Sequence, residues 1–247
     1  MKKLAVLILP LSLLFACQTK QEPAKTESAQ EKTKDTTMVV NNEKPLPNGQ
    51  FKDINPPSEE QKDLSALAKQ GLERIKAKDY AQGVDYLTRA LAMDPKNAKI
   101  HFNRGIGYYY MNDFNKALED FTTSLQLKPN DTVTLYHSGL ARFYLKDFNG
   151  AINDFTQALK LSKKFSRAYY NRGLAKGQLK NYQGAVDDLT QAIICDATYG
   201  EAYYNRGYAN FMKHDTMNAC FDFIQANRMG VPQAKKAVEL YCEKYNR

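Results

Sequence analysis

From residue 58 onward apolar residues recur at helical spacing, with charged and amide residues on the opposite side and short polar turns between the runs. That period places one apolar stripe along each run, so it predicts a succession of amphipathic helices and no strands. The runs themselves repeat. Gly71, Gly105, Gly139, Gly173 and Gly207 stand 34 residues apart. In the same register stand Tyr80, Phe114, Phe148 and Tyr182; Gly83, Ala117, Ala151, Ala185 and Ala219; Leu87, Phe121, Phe155, Leu189 and Phe223; and Ala90, Ser124, Ala158, Ala192 and Ala226. A fixed period of this length marks stacked supersecondary units. A Gly on the first helix, opposite small residues spaced by seven on the second, lets the two axes approach closely, and the aromatics then fill the seam.

This small-aromatic-small pattern resembles the tetratricopeptide repeat family. The match covers residues 64–233, as units 64–97, 98–131, 132–165, 166–199 and 200–233. The resemblance implies an all-α fold: an α-solenoid of five helical hairpins over residues 58–232, closed by a capping helix at 233–247. Asp79, Asp113, Asp147, Asn181 and Asp215 fall in the turn inside each hairpin, where a short side-chain oxygen accepts from the orphan amides of the next helix. Ser58 followed by Gln61 reads as a capping box, which starts the first helix near Glu59. Pro95 and Pro129 close the second helix of the first two units. Lys163, Ala197 and Val231 replace that Pro later, so those helices are expected to end less sharply. Ala234, Ala237, Val238, Tyr241 and Tyr245 give the last segment one apolar face backed by Lys235, Lys236, Glu239 and Glu243, as the open end of a stack requires.

The N-terminal segment has a different character. Lys2 and Lys3 form a basic head, Leu4 to Leu14 a short apolar stretch, and Leu14-Phe15-Ala16-Cys17 ends it. Eleven residues interrupted by Pro10 are too few to cross a bilayer, which takes about 20. The segment resembles a bacterial lipoprotein signal, residues 1–16, which implies export, cleavage and acylation of Cys17. Two or more acyl chains, at about 0.8 kcal/mol per buried methylene, hold a protein on its membrane. Residues 17–57, rich in Lys, Glu, Gln, Thr, Asn and Pro, have little apolar surface to bury and read as a disordered tether with an r.m.s. span of roughly 35 Å. Gln18 is not the Asp that retains some lipoproteins in the inner membrane. The expected place is therefore the cell envelope, on the outer membrane facing the periplasm, with surface exposure left open.

Charge and candidate chemistry narrow the function. The net charge is +8, and residues 18–61 hold 6 basic against 8 acidic groups, so the folded part keeps the excess. Basic residues alternate with acids along every helix, which argues against nucleic acid and leaves an anionic partner surface or plain solubility. His101, His137 and His214 occupy three different repeat positions with no metal-ligand spacing, so no metal or cofactor is expected. No nucleophile, base and acid share an arrangement, so the chain is not read as an enzyme. Glu119-Asp120, Asp154, Asp187-Asp188 and Asp222 read as a solvated or ion-paired face, with Arg104, Arg172 and Arg206 as partners. Cys195 shares its register with Met93, Leu127, Leu161 and Met229 and is expected to be a free thiol in the core. Cys220 and Cys242 also sit at core positions. They lie about equally far from the junction of two antiparallel helices, so they form either a disulfide or two buried thiols.

In the family the first helices line a concave groove, and the resemblance implies that Asn103, Asn171 and Asn205 grip the backbone of an extended peptide there. The family's clamp for a chaperone-tail carboxylate is not reproduced, since Ala68 and Leu72 stand at its positions in the first unit. Aromatic and apolar residues on the same face extend the expected site: Phe102, Ile106, Tyr109 and Tyr110; Tyr136, Leu140, Phe143 and Tyr144; Tyr170; and Tyr204, Tyr208 and Phe211. They are expected to be additional to the inter-helix seam and to form a patch for a partner. The reading is a membrane-anchored adaptor or scaffold that binds an envelope protein or peptide. A peptidoglycan or glycan-binding module and a structural subunit of a secretion or motility complex are the rival readings. Oligomeric state stays open.

Overall fold

The computed structural model describes residues 59–242. Eleven helices follow one another there: α1 (Glu59–Lys76), α2 (Tyr80–Met93), α3 (Ala98–Tyr110), α4 (Phe114–Leu127), α5 (Thr132–Tyr144), α6 (Phe148–Leu161), α7 (Ser166–Gln178), α8 (Tyr182–Cys195), α9 (Gly200–Met212), α10 (Thr216–Arg228) and α11 (Pro232–Tyr241). No strand occurs among the described residues. The helices pair as α1/α2 through α9/α10, and α11 closes the stack. Each helix packs on its hairpin partner and on the next hairpin, and successive first helices also touch. First helices therefore line the inner side. The signal segment, Cys17, the tether and Ser58 lie outside the described residues.

The seam follows from the repeated glycines. A Cβ on Gly71, Gly105, Gly139, Gly173 or Gly207 would stand 2.6 to 3.0 Å from Leu87, Phe121, Phe155, Leu189 or Phe223 respectively. These five large residues are at most 1% exposed. Replacing the hydrogen at Gly71, Gly105, Gly139 or Gly207 would force the seam to shift, and at Gly173 Leu189 would have to give by a few tenths of an ångström.

Each hairpin turn uses one device. Lys78, Asn112, Lys146, Lys180 and His214 adopt left-handed backbone, with φ between 60° and 64°. The next residue's N–H reaches back five residues, from Asp79 to Arg74 O and likewise from Asp113, Asp147, Asn181 and Asp215. That residue's side chain then caps the second helix, accepting from the N–H of Gln82, Lys116, Gly150, Gly184 or Asn218. Loss of Pro95 and Pro129 equivalents does not blur the ends of the later second helices. α6 and α8 stop at Leu161 and Cys195, in register with Met93 and Leu127. The N–H of Asp94, Lys128, Ser162 and Asp196 bonds to the same carbonyl position each time, so the turn geometry is kept with or without proline.

At the far end Tyr241 packs its ring on Phe211 at 4.5 Å and on Phe223 at 6.4 Å. Cys220 and Cys242 are joined across α10 and α11, with their Cα atoms 5.4 Å apart.

Candidate functional site

Behind the inner face lies a buried row of carboxylates. Asp120, Asp154, Asp188 and Asp222 are 8% exposed or less, so of the two alternatives, a solvated or an ion-paired face, they form the ion-paired one, as an interior ladder. Arg104 holds Asp120 through Nε and Nη2 at 2.8 Å each. Arg172 holds Asp188 at 2.8 and 2.7 Å, and Arg206 holds Asp222 at 2.9 and 2.6 Å. Each guanidinium also donates through Nη1 to a threonine of the preceding unit: Thr88, Thr156 or Thr190. One arginine thus ties three helices. The third unit differs, because Ser138 stands at the arginine position and donates to Asp154 at 2.7 Å. Arg142, one turn later, supplies the charge at 2.9 Å. Burial raises the Asp154 and Asp222 carboxyls above the ordinary range despite these donors.

The inner face is less bare than the sequence suggested. Phe102, Ile106 and Tyr109 pack around Ala117, Phe121 and Ala141; Tyr136, Leu140 and Phe143 pack around Ala151, Phe155 and Ala175. Tyr170 packs on the core of the fourth unit, and Tyr204 and Phe211 on that of the fifth. These rings are half-buried parts of the joints between units, and the expectation that they are additional to the packing is corrected. The reason is that a solenoid buries the first-helix face of one unit against the next. Tyr110 and Tyr208, 50% and 40% exposed, are the aromatics that remain open.

Of the three asparagines, Asn103, Asn171 and Asn205, the last two are also occupied. Asn171 Nδ2 donates to Tyr136 Oη at 3.0 Å and to Arg167 O at 2.9 Å. Asn205 Nδ2 donates to Tyr170 Oη at 3.1 Å and to Glu201 O at 2.8 Å. Their N–H groups thus serve the fold, and Oδ1 is the atom each can offer a peptide. Where the third unit would carry this asparagine it has His137, whose Nδ1 is buried without a hydrogen-bond partner. The imidazole sits among Phe102, Tyr109, Phe121 and Tyr136, with ring centroids 5.4 to 6.2 Å away. Burial pulls its pKa down to about 4. Desolvation likewise pushes the Tyr136 hydroxyl up to about 12.

Cys195 is a free thiol but an exposed one, which corrects its assignment to the core. Its register mates Leu127, Leu161 and Met229 are 38 to 46% exposed, because the position lies at the C-terminal end of each second helix, where the next hairpin no longer covers it. Among the described residues no cluster of three or more His, Cys, Asp or Glu could hold a metal ion, and no helix is long and apolar enough to cross a membrane.

Sequence comparison agrees with this geometry. The tetratricopeptide repeat profile matches residues 98–131, the second hairpin, and a second TPR repeat profile matches residues 139–180. The chain carries tetratricopeptide repeats over these residues. Solved structures of the same fold include MamA residues 41 to the end from Desulfovibrio magneticus RS-1, with TM-score 0.66 and 18% identity over 68% of this chain and 95% of that one. A second MamA crystal structure gives 0.63 and 22% over 67% and 96%. YrrB, a TPR protein with an unusual peptide-binding site, gives 0.66 and 17% over 74% and 95%. No curated protein matches the chain in sequence. The tetratricopeptide repeat is a scaffold for protein–protein interaction.

Proposed function

We propose that this tetratricopeptide repeat protein is a lipid-tethered adaptor of the bacterial envelope whose inner face binds an extended segment of a partner protein, catalysis belonging to the partner. The observations that carry the reading are the open tyrosines Tyr110 and Tyr208 on the first helices and, on the same helix series, Asn171 and Asn205, whose Nδ2 groups serve the fold and leave Oδ1 as acceptor. An extended backbone offers N–H donors to such acceptors and side chains to such rings. The lipoprotein-like segment ending at Cys17 supports attachment to the membrane, and the tether gives reach. YrrB's peptide-binding site is in keeping with this use of the fold.

Crosslinking in intact cells followed by mass spectrometry identifies the neighbours, and Tyr208→Ala then tests the face. The variant should keep its helical circular dichroism and lose about 1 to 3 kcal/mol of partner affinity. Unchanged affinity in both Tyr208→Ala and Tyr110→Ala overturns the inner face as the docking surface. Cys17→Ala should move the intact folded domain out of the membrane fraction, and retention after a high-salt wash overturns the lipid anchor.

A further inference from the structure

Gly177 is unlike the seam glycines. A Cβ there would meet only the Ala185 Cβ, at 4.0 Å, an ordinary contact. Its backbone is helical and not left-handed. Neither packing nor conformation requires glycine, and glycine is the least favourable residue for a helix after proline.

What the missing side chain leaves open is visible from the other units. In the second and third units the same position holds Tyr109 and Phe143, which pack edge-on against the first ring of the following helix, Phe114 at 5.5 Å and Phe148 at 5.4 Å. The next position holds Tyr110 and Tyr144, which stack flat on the preceding unit's Tyr80 at 5.0 Å and Phe114 at 4.6 Å. The fourth unit has Gly177 and Gln178 instead. Phe148 therefore lacks the flat partner that Tyr80 and Phe114 have, and Tyr182 lacks the edge-on partner that Phe114 and Phe148 have. The aromatic row is interrupted at Gly177 and Gln178, where one position is bare and the other carries a polar side chain, with Phe148 and Tyr182 on either side.

Two lysines flank that gap in the chain. Lys146 and Lys180 stand at the adjoining turns, exposed and in no ion pair. Of the acids on neighbouring elements, Asp147 is paired with Arg142 and Asp188 with Arg172 and Lys176, while Asp187 and Asp215 bond the neutral amides of Gln183 and Asn218.

We propose that the recess beside Gly177 is the specificity pocket of the inner face and receives an aromatic side chain of the partner flanked by carboxylates. This rests on the inner face being the docking surface. The aromatic ring would restore the interrupted row, burying its faces against Phe148 and Tyr182, and the carboxylates would meet Lys146 and Lys180.

The full chain is titrated with three blocked tetrapeptides, acetyl-Glu-Phe-Phe-Glu-amide, acetyl-Glu-Ala-Ala-Glu-amide and acetyl-Lys-Phe-Phe-Lys-amide, while the amide NMR signals of Gly177 and Gln178 are followed. The first should move both signals and bind about tenfold more tightly than either control. Gly177→Ala should bind it as the native chain does and melt at a higher temperature. Gly177→Phe combined with Gln178→Tyr fills the gap and should abolish the shifts with helical circular dichroism intact. Lys146→Glu with Lys180→Glu, which leaves packing alone, should reverse the preference between the two aromatic peptides. Equal binding of the alanine peptide, or binding that survives the filled gap, overturns the pocket. A partner whose affinity falls in Tyr208→Ala but not in the filled variant likewise overturns the pocket while leaving the inner face as the docking surface.

Discussion

The front and back of this stack solve one problem with different chemistry. Where the first three units meet, the joints are aromatic stacks, Tyr80 on Tyr110 and Phe114 on Tyr144, and the incoming first helices carry side-chain caps from Asn97 and Asp131. Where the last three meet, Phe165 and Tyr199 replace those capping residues and lie against Tyr136 and Tyr170, whose hydroxyls accept from Asn171 and Asn205. The rings migrate from one edge of the stack to the other, and polar bonds replace caps. A repeat thus fixes where helices go while leaving the chemistry of each joint free. Function can use the position that a change of chemistry vacates, as at Gly177.

The largest expected effect sharpens this contrast at the carboxylate ladder. Arg206→Met leaves the buried Asp222 with Asn210 alone as donor, at 3.3 Å, and should cost about 3 to 5 kcal/mol in chemical denaturation. Arg142→Met in the third unit should cost less, because Ser138 still donates to Asp154. Equal losses would mean that the serine contributes nothing to the lock.

A smaller effect comes from His137. Its pKa is about 4 in the folded chain against an ordinary value of 6.5. The unfolded chain therefore binds the proton first, and stability falls as pH drops from above 6.5 towards 4, by about 3 kcal/mol in all. The raised Asp154 and Asp222 carboxyls act with the opposite sign, so the contribution of the imidazole is read from the difference between the native chain and a His137 variant. His137→Asn should flatten the stability profile between pH 7 and 5. An unchanged slope would show that the imidazole is not the group responsible.

The smallest expected effect separates the two kinds of joint directly. Tyr136→Phe removes the hydroxyl that accepts from Asn171 and should lower stability by about 1 kcal/mol. Tyr110→Phe, at a stacked joint, should be close to neutral in the same melting experiment, since the ring contact remains.

Much of this was legible in the sequence because a 34-residue period encodes the path of the chain. The seam glycines, the turn caps and the pairing of Arg104, Arg172 and Arg206 with the acids could each be read from register. Depth could not. Register says which side of a helix Cys195 or Asp120 occupies but not whether that side is covered, so Cys195 is misread and Asp120 is left between a solvated and an ion-paired reading. Ser138 with Arg142 was hidden because the charge moved one helical turn off the repeat position. The lysines at the left-handed turn positions gave no signal, since those sites usually select glycine or asparagine. Gly177 was missed because it falls outside the glycine register.

Tyr241 sets a boundary of a different kind. It stands 34 residues after Gly207, at the position where every hairpin in the stack has a glycine. A second helix can approach a first helix only where that position is bare, as the close approaches at the other five glycines show. The phenol ring instead folds back on Phe211 and Phe223 and covers the apolar end of the fifth hairpin. A large side chain where five first helices carry glycine thus makes α11 a lid on the hairpin before it, as a blocked monomer caps a growing polymer.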